Sequence, residues 1–305
     1  MPDQTLVLLG PTASGKSDVA MAFARIAPGA EIVVVDAMQV YRGMDIGTAK
    51  PTEADRAEVS HHCLDLVDAA EDFTVARFVG EARAVLGEIS RRGGRPVLVA
   101  GTGLYLRAIT DPMEIPGSWP VLREELEARA ILEGAPALHA ELRTIDPVAA
   151  TRMEPSNARR VVRALEVCGG SGRLFSSFGP GLDTYPAVPF MMVGLRWSRP
   201  DLADRIRHRV HHMIEVGLVG EVRSLVADPR GISRTARQAL GYKELIDHLE
   251  GGCSLEDAVE RIVVRTRQFA ARQERWFRRD PRVHWVDVTE NPVAEVLSAL
   301  QDLGQ

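Results

Sequence analysis

The 305-residue sequence has little lysine, little cysteine and no long apolar run. Lysine occurs only as Lys16, Lys50 and Lys243, so arginine supplies the other 34 of the 37 basic residues. The three cysteines are far apart and include no C-x-x-C pair, which excludes a disulfide framework and a cysteine zinc site. Because no stretch of about 18 apolar residues occurs, a membrane-spanning helix is also excluded.

The sequence also lacks a net positive charge, with a formal charge of −5 and a pI of about 5.9. That average excludes a uniformly basic nucleic-acid-binding protein, but it leaves room for a local basic patch. The first residues lack the basic region, apolar run and cleavage site of a signal peptide. We therefore expect a cytoplasmic protein with no membrane anchor, and a monomer.

Strand-like and helical patterns alternate in the first hundred residues. Short apolar runs at 5–9, 32–35 and 96–100 are typical of buried parallel strands. Helical periods cover 16–27 and 73–90. This alternation predicts an α/β core with a parallel sheet and right-handed crossovers.

A helical segment interrupts that alternation after a proline-rich loop. Four helical patterns follow, at 121–133, 136–145, 147–153 and 157–168, before a Gly-, Ser- and Pro-rich linker at 169–189. Strand character returns at 190–195, and further helices are predicted at 202–216, 220–227, 236–248 and 254–279. We predict a catalytic core of residues 1–113 and 190–305, and a helical insertion domain of residues 114–189.

The segment GPTASGKS between the first strand and the first helix matches the complete phosphate-loop pattern G-x-x-x-x-G-K-[ST]. In such a loop, backbone N–H groups surround a phosphate at a helix N-terminus, a lysine adds charge and a hydroxyl ligates phosphate-bound Mg²⁺. A glycine-rich turn without a ligand is the alternative, and the coincidence of strand, lysine and helix argues against it. The motif leaves open whether the phosphates belong to a nucleotide or to another diphosphate. The expected phosphate-binding residues are Gly10, Pro11, Thr12, Ala13, Ser14, Gly15, Lys16 and Ser17, with Ser17 as the Mg²⁺ ligand.

Two further polar residues are predicted at the same sheet edge. Asp36 ends the second strand, and Thr102 lies on the turn after the strand that ends at Ala100. The carboxyl ends of parallel strands are where α/β proteins bind ligands. By position alone, Asp36 is a metal ligand, a general base or a hydrogen-bond acceptor, and Thr102 is a ligand contact or only a turn residue.

Seven segments together resemble the bacterial tRNA dimethylallyltransferases, also called tRNA isopentenyltransferases. They are GPTASGKS at 10–17, DAMQVYRGMDIGTAKP at 36–51, HHCLD at 61–65, GTGLY at 101–105, RVVRALEV at 160–167, GYK at 241–243 and TRQFAARQERWFR at 266–278. They follow the family's order over nearly the whole chain. The phosphate loop is common to many proteins, but the segment at 36–51 is specific.

The resemblance implies a P-loop NTPase-like core whose helical insertion closes over the anticodon arm of tRNA. The implied reaction transfers a dimethylallyl group from dimethylallyl diphosphate to N6 of the adenosine at tRNA position 37. The phosphate loop then holds the diphosphate, with Mg²⁺ as cofactor. The resemblance places Asp36 against the N6 amino group, Thr102 on the target nucleotide and Lys16 on the leaving group. Arg205 and Arg209 are placed close to the reacting centre, and Arg209 is assigned a catalytic role with Asp36, Thr102 and Lys16.

The tRNA partner predicts concentrated positive charge in this acidic chain. Residues 261–282 contain eight arginines against Glu274 and Asp280, a net +6 that leaves −11 for the remainder. Arginine clusters suit phosphate contact, although a solvated helix face is the ordinary explanation of a charge run. The tRNA contacts implied by the resemblance are Asp36, Ala37, Met38, Gln39, Thr102, Arg123, Arg159, Arg160, Val161, Val162, Arg163, Arg205, Lys243, Arg267 and Arg272.

Three other functions remain as alternatives. An isopentenyltransferase acting on adenylate is the nearest, and a P-loop small-molecule kinase or a non-catalytic RNA-binding ATPase belongs to a different class. The helical insertion and the basic segment at 261–282 favour a macromolecular acceptor over a free nucleotide.

Overall fold

The computed structural model describes residues 5–179 and 181–303. The chain divides into two compact units, one of Met1–Thr110 with Ala187–Gln305 and one of Asp111–Pro186. We call them the sheet unit and the helical unit. Both boundaries lie three residues before those predicted, at 111 and 186 instead of 114 and 189.

The sheet unit is built on a parallel sheet of six strands in the order β4-β2-β6-β1-β7-β8. Strands β3 and β5 form a separate parallel pair. Buried Val, Leu and Ile occupy the central strands, as expected for a sheet covered on both faces. The strands are β1 (Thr5–Leu9), β2 (Ala30–Val35), β3 (Tyr41–Arg42), β4 (His61–His62), β5 (Val67–Asp68), β6 (Arg95–Ala100), β7 (Phe190–Trp197) and β8 (Val283–Val288).

The helices follow the predicted order, with short additions. They are α1 (Lys16–Ile26), α2 (Glu53–Glu58), α3 (Val75–Arg91), α4 (Gly103–Thr110), α5 (Pro120–Leu132), α6 (Ala135–Ile145), α7 (Pro147–Thr151), α8 (Ala158–Ser171), α9 (Arg199–Glu215), α10 (Leu218–Ala227), α11 (Tyr242–Leu249), α12 (Leu255–Phe277) and α13 (Pro292–Leu303). The prediction omitted α2, α4 and α13, and α8 extends into the predicted linker. The α/β fold class predicted from the alternating pattern is confirmed.

The helix predicted at 236–248 was wrong in its extent. A 3-10 turn at Ala236–Gln238 is followed by Gly241, whose φ of +88° cannot continue a helix. Helix α11 starts after it, and the Glu244 carboxylate accepts a 2.9 Å hydrogen bond from the Gly241 amide. The apolar periodicity of the sequence continues through Gly241, although the backbone conformation of this residue interrupts the helix.

Strand β8 was missed because it lies at the edge of the sheet. Only its end residues, Val283 and Val288, are buried, and the exposed His284 and Asp287 between them prevent a continuous apolar run. Only its pairing with β7, with Met192 opposite Val283 and Trp197 opposite Val288, identifies it as a strand. Such pairing is a long-range property that local composition does not reveal.

The helical unit has its own small core. Buried residues from α5, α6 and α8, among them Leu126, Leu138 and Leu165, pack together. The buried carboxylate of Asp146 caps α7 through the Ala149 amide at 2.9 Å and accepts a 2.8 Å hydrogen bond from the Ser176 amide. This contact orders residues predicted to be a featureless linker.

Candidate active site

Three neighbouring strands of the sheet unit end at the same level. Leu9 and Val35 both lie opposite Ala100 in the register of the sheet. The next residues along the chain, Gly10, Asp36 and Gly101, are therefore adjacent at the carboxyl edge, where α/β sheets bind ligands. The phosphate loop, Asp36 and the turn containing Thr102 meet there, as predicted from their positions.

The phosphate loop turns sharply before α1, and side chains outside it hydrogen-bond to its carbonyls. Ala13 and Gly15 have φ of +64° and +90°, which turn the chain back before α1. The indole of Trp197 donates a 2.9 Å hydrogen bond to the Ser14 carbonyl, and the Arg205 guanidinium donates one of 2.8 Å to the Ala13 carbonyl. Both carbonyls are therefore hydrogen-bonded on the outer side of the loop. The N-terminus of α1, on the inner side, is a site where an anion would be stabilised.

The Lys16 ammonium lies inside the loop, 3.3 Å from the Pro11 carbonyl. Burial, and then the neighbouring Arg209 guanidinium, lowers the pKa of Lys16 to about 8, although Asp36 and Asp18 counteract this. The pKa of Arg209 is lowered as well, mainly by burial. Two desolvated cations close together form a site that an anion would stabilise.

Asp36 uses its two carboxylate oxygens differently. Oδ1 accepts hydrogen bonds from the amides of Met38 at 2.8 Å and Gln39 at 3.2 Å. None of residues 5–179 and 181–303 donates a hydrogen bond to Oδ2. The hydroxyl of Thr102 accepts a 3.2 Å hydrogen bond from the Ala37 amide, so the Asp36 loop and the Thr102 turn are joined. One carboxylate oxygen is held in place and the other is available to a ligand.

Three side chains approach the backbone at Gly101. A Cβ at this position would lie 3.3 Å from Asp36 Oδ2, 3.3 Å from Gln273 Nε2 and 3.7 Å from Lys16 Cε. Its φ is not in the left-handed region, so what glycine provides here is space: a Cβ would require these side chains to shift by a few tenths of an ångström. The resemblance includes Gln273 in the segment at 266–278 but assigns it no function. The missed signal is a polar residue on the buried face of α12, between Ala270 and Phe277.

These residues border an open pocket of about 1310 Å³ in the sheet unit. Lys16, Asp36 and Gly101 line it together with Arg205 and Arg209 of α9. The Arg205 guanidinium lies 4.3 Å from the Trp197 ring centroid and donates a hydrogen bond to the phosphate loop. The pocket also includes residues to which the sequence gave no role: His208, His212, Met213 and Phe269.

The specific segment at 36–51 forms one wall of the pocket and is anchored at both ends. The side-chain amide of Gln39 donates a 2.8 Å hydrogen bond to the Thr48 carbonyl. The buried Lys50 ammonium lies 2.7 Å from Asp45 and 2.5 Å from Asp65. The Glu221 carboxylate accepts hydrogen bonds from three successive amides, those of residues 45, 46 and 47. Lys50 and Glu221 are therefore structural supports of this wall.

The basic segment of α12 has two kinds of arginine. Arg261 pairs with Asp247 at 2.7 Å, and Arg265 pairs with the buried Glu244, so both are used within the protein. Arg267 and Arg272 are exposed, and Arg272 lies over the Phe269 ring at 5.8 Å. Lys243 is also exposed, with its ammonium 3.3 Å from Gln238. Arg261 and Arg265 are also exposed, but each pairs with an acid, whereas Arg267, Arg272 and Lys243 have no acidic partner among residues 5–179 and 181–303.

Two residues of the helical unit that the resemblance assigns to tRNA binding have buried side chains. Val161 and Val162 are 0% and 4% exposed and pack in the core of that unit, so their side chains cannot reach RNA. Arg159 and Arg160, at the start of the same helix, are exposed. Helix periodicity explains the division, since consecutive residues on a helix point in different directions.

Arg123 and Arg163 have partners inside the helical unit. Arg123 donates hydrogen bonds of 2.9 and 2.7 Å to the carboxylate of Glu166, which is fully buried. Arg163 pairs with the same carboxylate at 3.0 Å and donates to the Pro116 carbonyl. Arg123 joins α5 to α8, and Arg163 holds the loop before α5 against α8, so both have structural roles within this unit.

The residues of the phosphate loop fit a divalent cation only if a bound diphosphate supplies further oxygen ligands. In the part of the chain that the structure describes, no group of three or more His, Cys, Asp or Glu is arranged to hold a metal. The Ser17 hydroxyl in the first turn of α1, predicted as the Mg²⁺ ligand, is exposed, and Mg²⁺ characteristically combines few protein ligands with phosphate oxygens and water. The same described residues include no helix that is both long and apolar enough to cross a membrane.

Comparisons with known proteins agree with this geometry. The family model described as IPP transferase matches residues 39–280, and one described as isopentenyl transferase matches residues 4–66. The tRNA dimethylallyltransferase of Kineococcus radiotolerans is 48% identical over 93% of this chain and 91% of its own length. The crystal structure of a tRNA isopentenylpyrophosphate transferase from Bacillus halodurans is 38% identical with a TM-score of 0.70, covering 99% of this chain and 95% of that one. The structure of a eukaryotic dimethylallyltransferase acting on tRNA has 26% sequence identity and a TM-score of 0.80. The match covers 99% of this chain and 78% of that one.

Proposed function

Because the chain belongs to the IPP transferase family, we propose that it transfers a dimethylallyl group from dimethylallyl diphosphate to N6 of the adenosine at tRNA position 37, releasing diphosphate. Family membership and prenyl transfer to tRNA, both expected from the sequence, are confirmed by the relatives. The donor, the acceptor atom and the tRNA position are the finer part of the proposal. The observation that carries it is the meeting of the phosphate loop and the free oxygen of Asp36 at Gly101.

The phosphate loop and two cations would hold the donor. Breaking the bond between the dimethylallyl carbon and the diphosphate oxygen leaves the electron pair on that oxygen, so negative charge grows on the leaving group. Lys16 and Arg209, both desolvated beside the loop, would stabilise this charge. Preorganised charges of this kind are usually the largest catalytic contribution.

Asp36 would act on the acceptor. The exocyclic amine of adenine is a poor nucleophile because its lone pair is delocalised into the ring. A carboxylate that accepts a hydrogen bond from one N6 proton raises the electron density on nitrogen, and it takes that proton as the new carbon–nitrogen bond forms. Asp36 Oδ2 is suited to this role because Oδ1 alone anchors the side chain. Thr102, joined to the same loop, would contact the target nucleotide.

We also propose Mg²⁺ as cofactor, held by the Ser17 hydroxyl and the phosphate oxygens of the donor. When bound, it would neutralise charge on the diphosphate. The tRNA would contact Arg267, Arg272 and Lys243 of the sheet unit and Arg159 and Arg160 of the helical unit. We propose that the enzyme works as a monomer in the cytoplasm.

The test is incubation of the protein with labelled dimethylallyl diphosphate and unmodified tRNA. We expect label on the RNA, and no label on a matched tRNA with guanosine at position 37. Parallel reactions contain AMP as acceptor, or ATP without an acceptor. Label on AMP but not on tRNA would support the adenylate isopentenyltransferase instead, and ATP turnover without prenyl transfer would support a kinase or ATPase.

A further inference from the structure

The side chain of Gln273 connects the two halves of the active site. Its Nε2 donates a 2.7 Å hydrogen bond to the carbonyl of Gly101, on the turn that carries Thr102. Its Oε1 accepts a 2.9 Å hydrogen bond from the amide of Thr12, in the phosphate loop. One planar amide therefore spans the donor-binding loop and the acceptor-binding turn.

The chemistry of the two contacts requires an amide with this orientation. A backbone carbonyl only accepts and a backbone N–H only donates, so the nitrogen of Gln273 must face Gly101 and the oxygen must face Thr12. The side chain is 7% exposed, so losing either bond would leave a poorly hydrated polar group without a partner. A packing role alone would be filled at lower cost by an apolar residue.

The same helix holds the acceptor turn on its other side. The Trp276 ring of α12 packs so closely on Gly103 that a Cβ there would lie 2.1 Å from the ring. Gln273 and Trp276, one helical turn apart, thus contact the residues immediately before and after Thr102. The turn is held by α12 as well as by its own strand.

We propose that Gln273 is a positioning residue that sets the spacing between the phosphate loop and the turn carrying Thr102, and so between the donor carbon and the adenine amine. This assignment rests on the proposed function. Transfer between two bound reactants depends steeply on their separation, and a misplacement of about 1 Å can cost about 100-fold in rate. Gln273 touches neither reacting group in this account and acts through the backbone on both sides.

The first test replaces Gln273 by methionine, which has nearly the same shape but makes neither hydrogen bond. We expect kcat for transfer of labelled dimethylallyl to tRNA to fall about 100-fold. We expect KM for tRNA to change less than about threefold, because the RNA-facing arginines are untouched. Circular dichroism and the unfolding midpoint check that the variant is folded.

The second test uses Gln273→Glu, whose carboxyl reproduces both contacts only when protonated. Burial and the facing Asp36 carboxylate raise the pKa of this introduced group, and the Lys16 ammonium opposes them. We expect kcat relative to wild type to rise as the pH is lowered from about 8.5 to about 6, while the ratio for Gln273→Met stays flat. Gln301→Glu, on the exposed face of α13, adds the same charge elsewhere and should match wild type throughout.

The outcomes separate this assignment from the proposed function. If the wild type labels tRNA and Gln273→Met retains its kcat, or if the Gln273→Glu ratio does not change with pH, the positioning role is overturned and the proposed function stands. If Gln273→Met fails to fold, the pH series of Gln273→Glu decides. A wild type that does not label tRNA overturns the proposed function, and the positioning role with it.

Discussion

The three lysines of this arginine-rich chain lie in three different environments. Lys16 is desolvated in the phosphate loop with its pKa lowered to about 8. Lys50 is buried against Asp45 and Asp65, where a compact ammonium joins two acids and the Tyr41 carbonyl. Lys243 is exposed. A lysine offers a compact ammonium with three donors where arginine would offer a planar guanidinium. Only the surroundings of these lysines distinguish Lys16, for which we propose a catalytic role, from the structural Lys50.

Diphosphate affinity should depend on the protonation of Lys16. A bound anion favours the charged ammonium, so affinity is full below a pH of about 8 and falls as the pH rises above it, approaching about tenfold per pH unit. Isothermal titration with inorganic diphosphate from about pH 6.5 to 9.5 measures this. Lys16→Arg is the control, since arginine remains charged over the whole range and should show no such decline. An equal decline in that variant would assign the effect to another group.

Asp36 should be needed for transfer but not for donor binding. In Asp36→Asn the side-chain oxygen can still accept from the amides of Met38 and Gln39, so the loop keeps its shape, but the group can no longer take a proton. We expect kcat to fall about 10²- to 10⁴-fold, with diphosphate affinity within about threefold of wild type. Equal loss of both would identify Asp36 as mainly a metal ligand.

At the level of elements, single helices serve the core and the surface with different faces. Helix α8 starts with two exposed arginines, and the next two residues, Val161 and Val162, are buried in the core of the helical unit. Helix α12 likewise presents Arg267 and Arg272 outside, while Gln273 is buried at the active site. A motif carried over as a continuous run therefore overstates the binding surface by including the buried side of the helix.

A pair of substitutions in the helical unit separates structural from RNA-binding arginines. Arg123→Ala removes two hydrogen bonds from the buried Glu166 and should lower the free energy of unfolding by about 1–3 kcal/mol. Arg159→Ala should change stability by less than about 0.5 kcal/mol and weaken tRNA binding. Denaturant unfolding and filter binding measure the two effects. If Arg123→Ala weakened tRNA binding with no change in stability, the RNA contact expected from the resemblance would be correct.

Across the whole molecule, the net charge of −5 does not show that the arginines have different roles. Many are neutralised locally, such as Arg196 by Asp287, Arg237 by Glu250 and Arg261 by Asp247. Others are exposed, among them Arg159 and Arg160 near the start of α8 and Arg267 and Arg272 on α12, and they lie in a chain whose remainder is acidic. Such a distribution favours binding of a polyanion at defined surfaces over nonspecific coating.

Binding of tRNA should therefore weaken steeply with salt. Each phosphate contact contributes about −0.7 to −0.9 to the slope of log affinity against log salt concentration, so four or more contacts give a slope of about −3 or steeper. The double variant Arg267→Ala/Arg272→Ala should reduce the slope by about 1 to 2. Diphosphate affinity, set inside the pocket, should respond much less. A tRNA slope near zero would contradict the electrostatic account.

The α/β class, the phosphate loop and the alignment of Asp36 and Thr102 at one edge were predictable from the chain, because strand ends and loop glycines are local signals and parallel sheets place strand ends together. Edge strand β8, the break at Gly241 and the inward face of α8 were not, because pairing partners, a left-handed backbone and the direction of a helix face depend on distant residues. Gln273 is the clearest case. It lies 261 residues from Thr12 and 172 from Gly101, and only the packing of α12 on the sheet unit brings its amide between them.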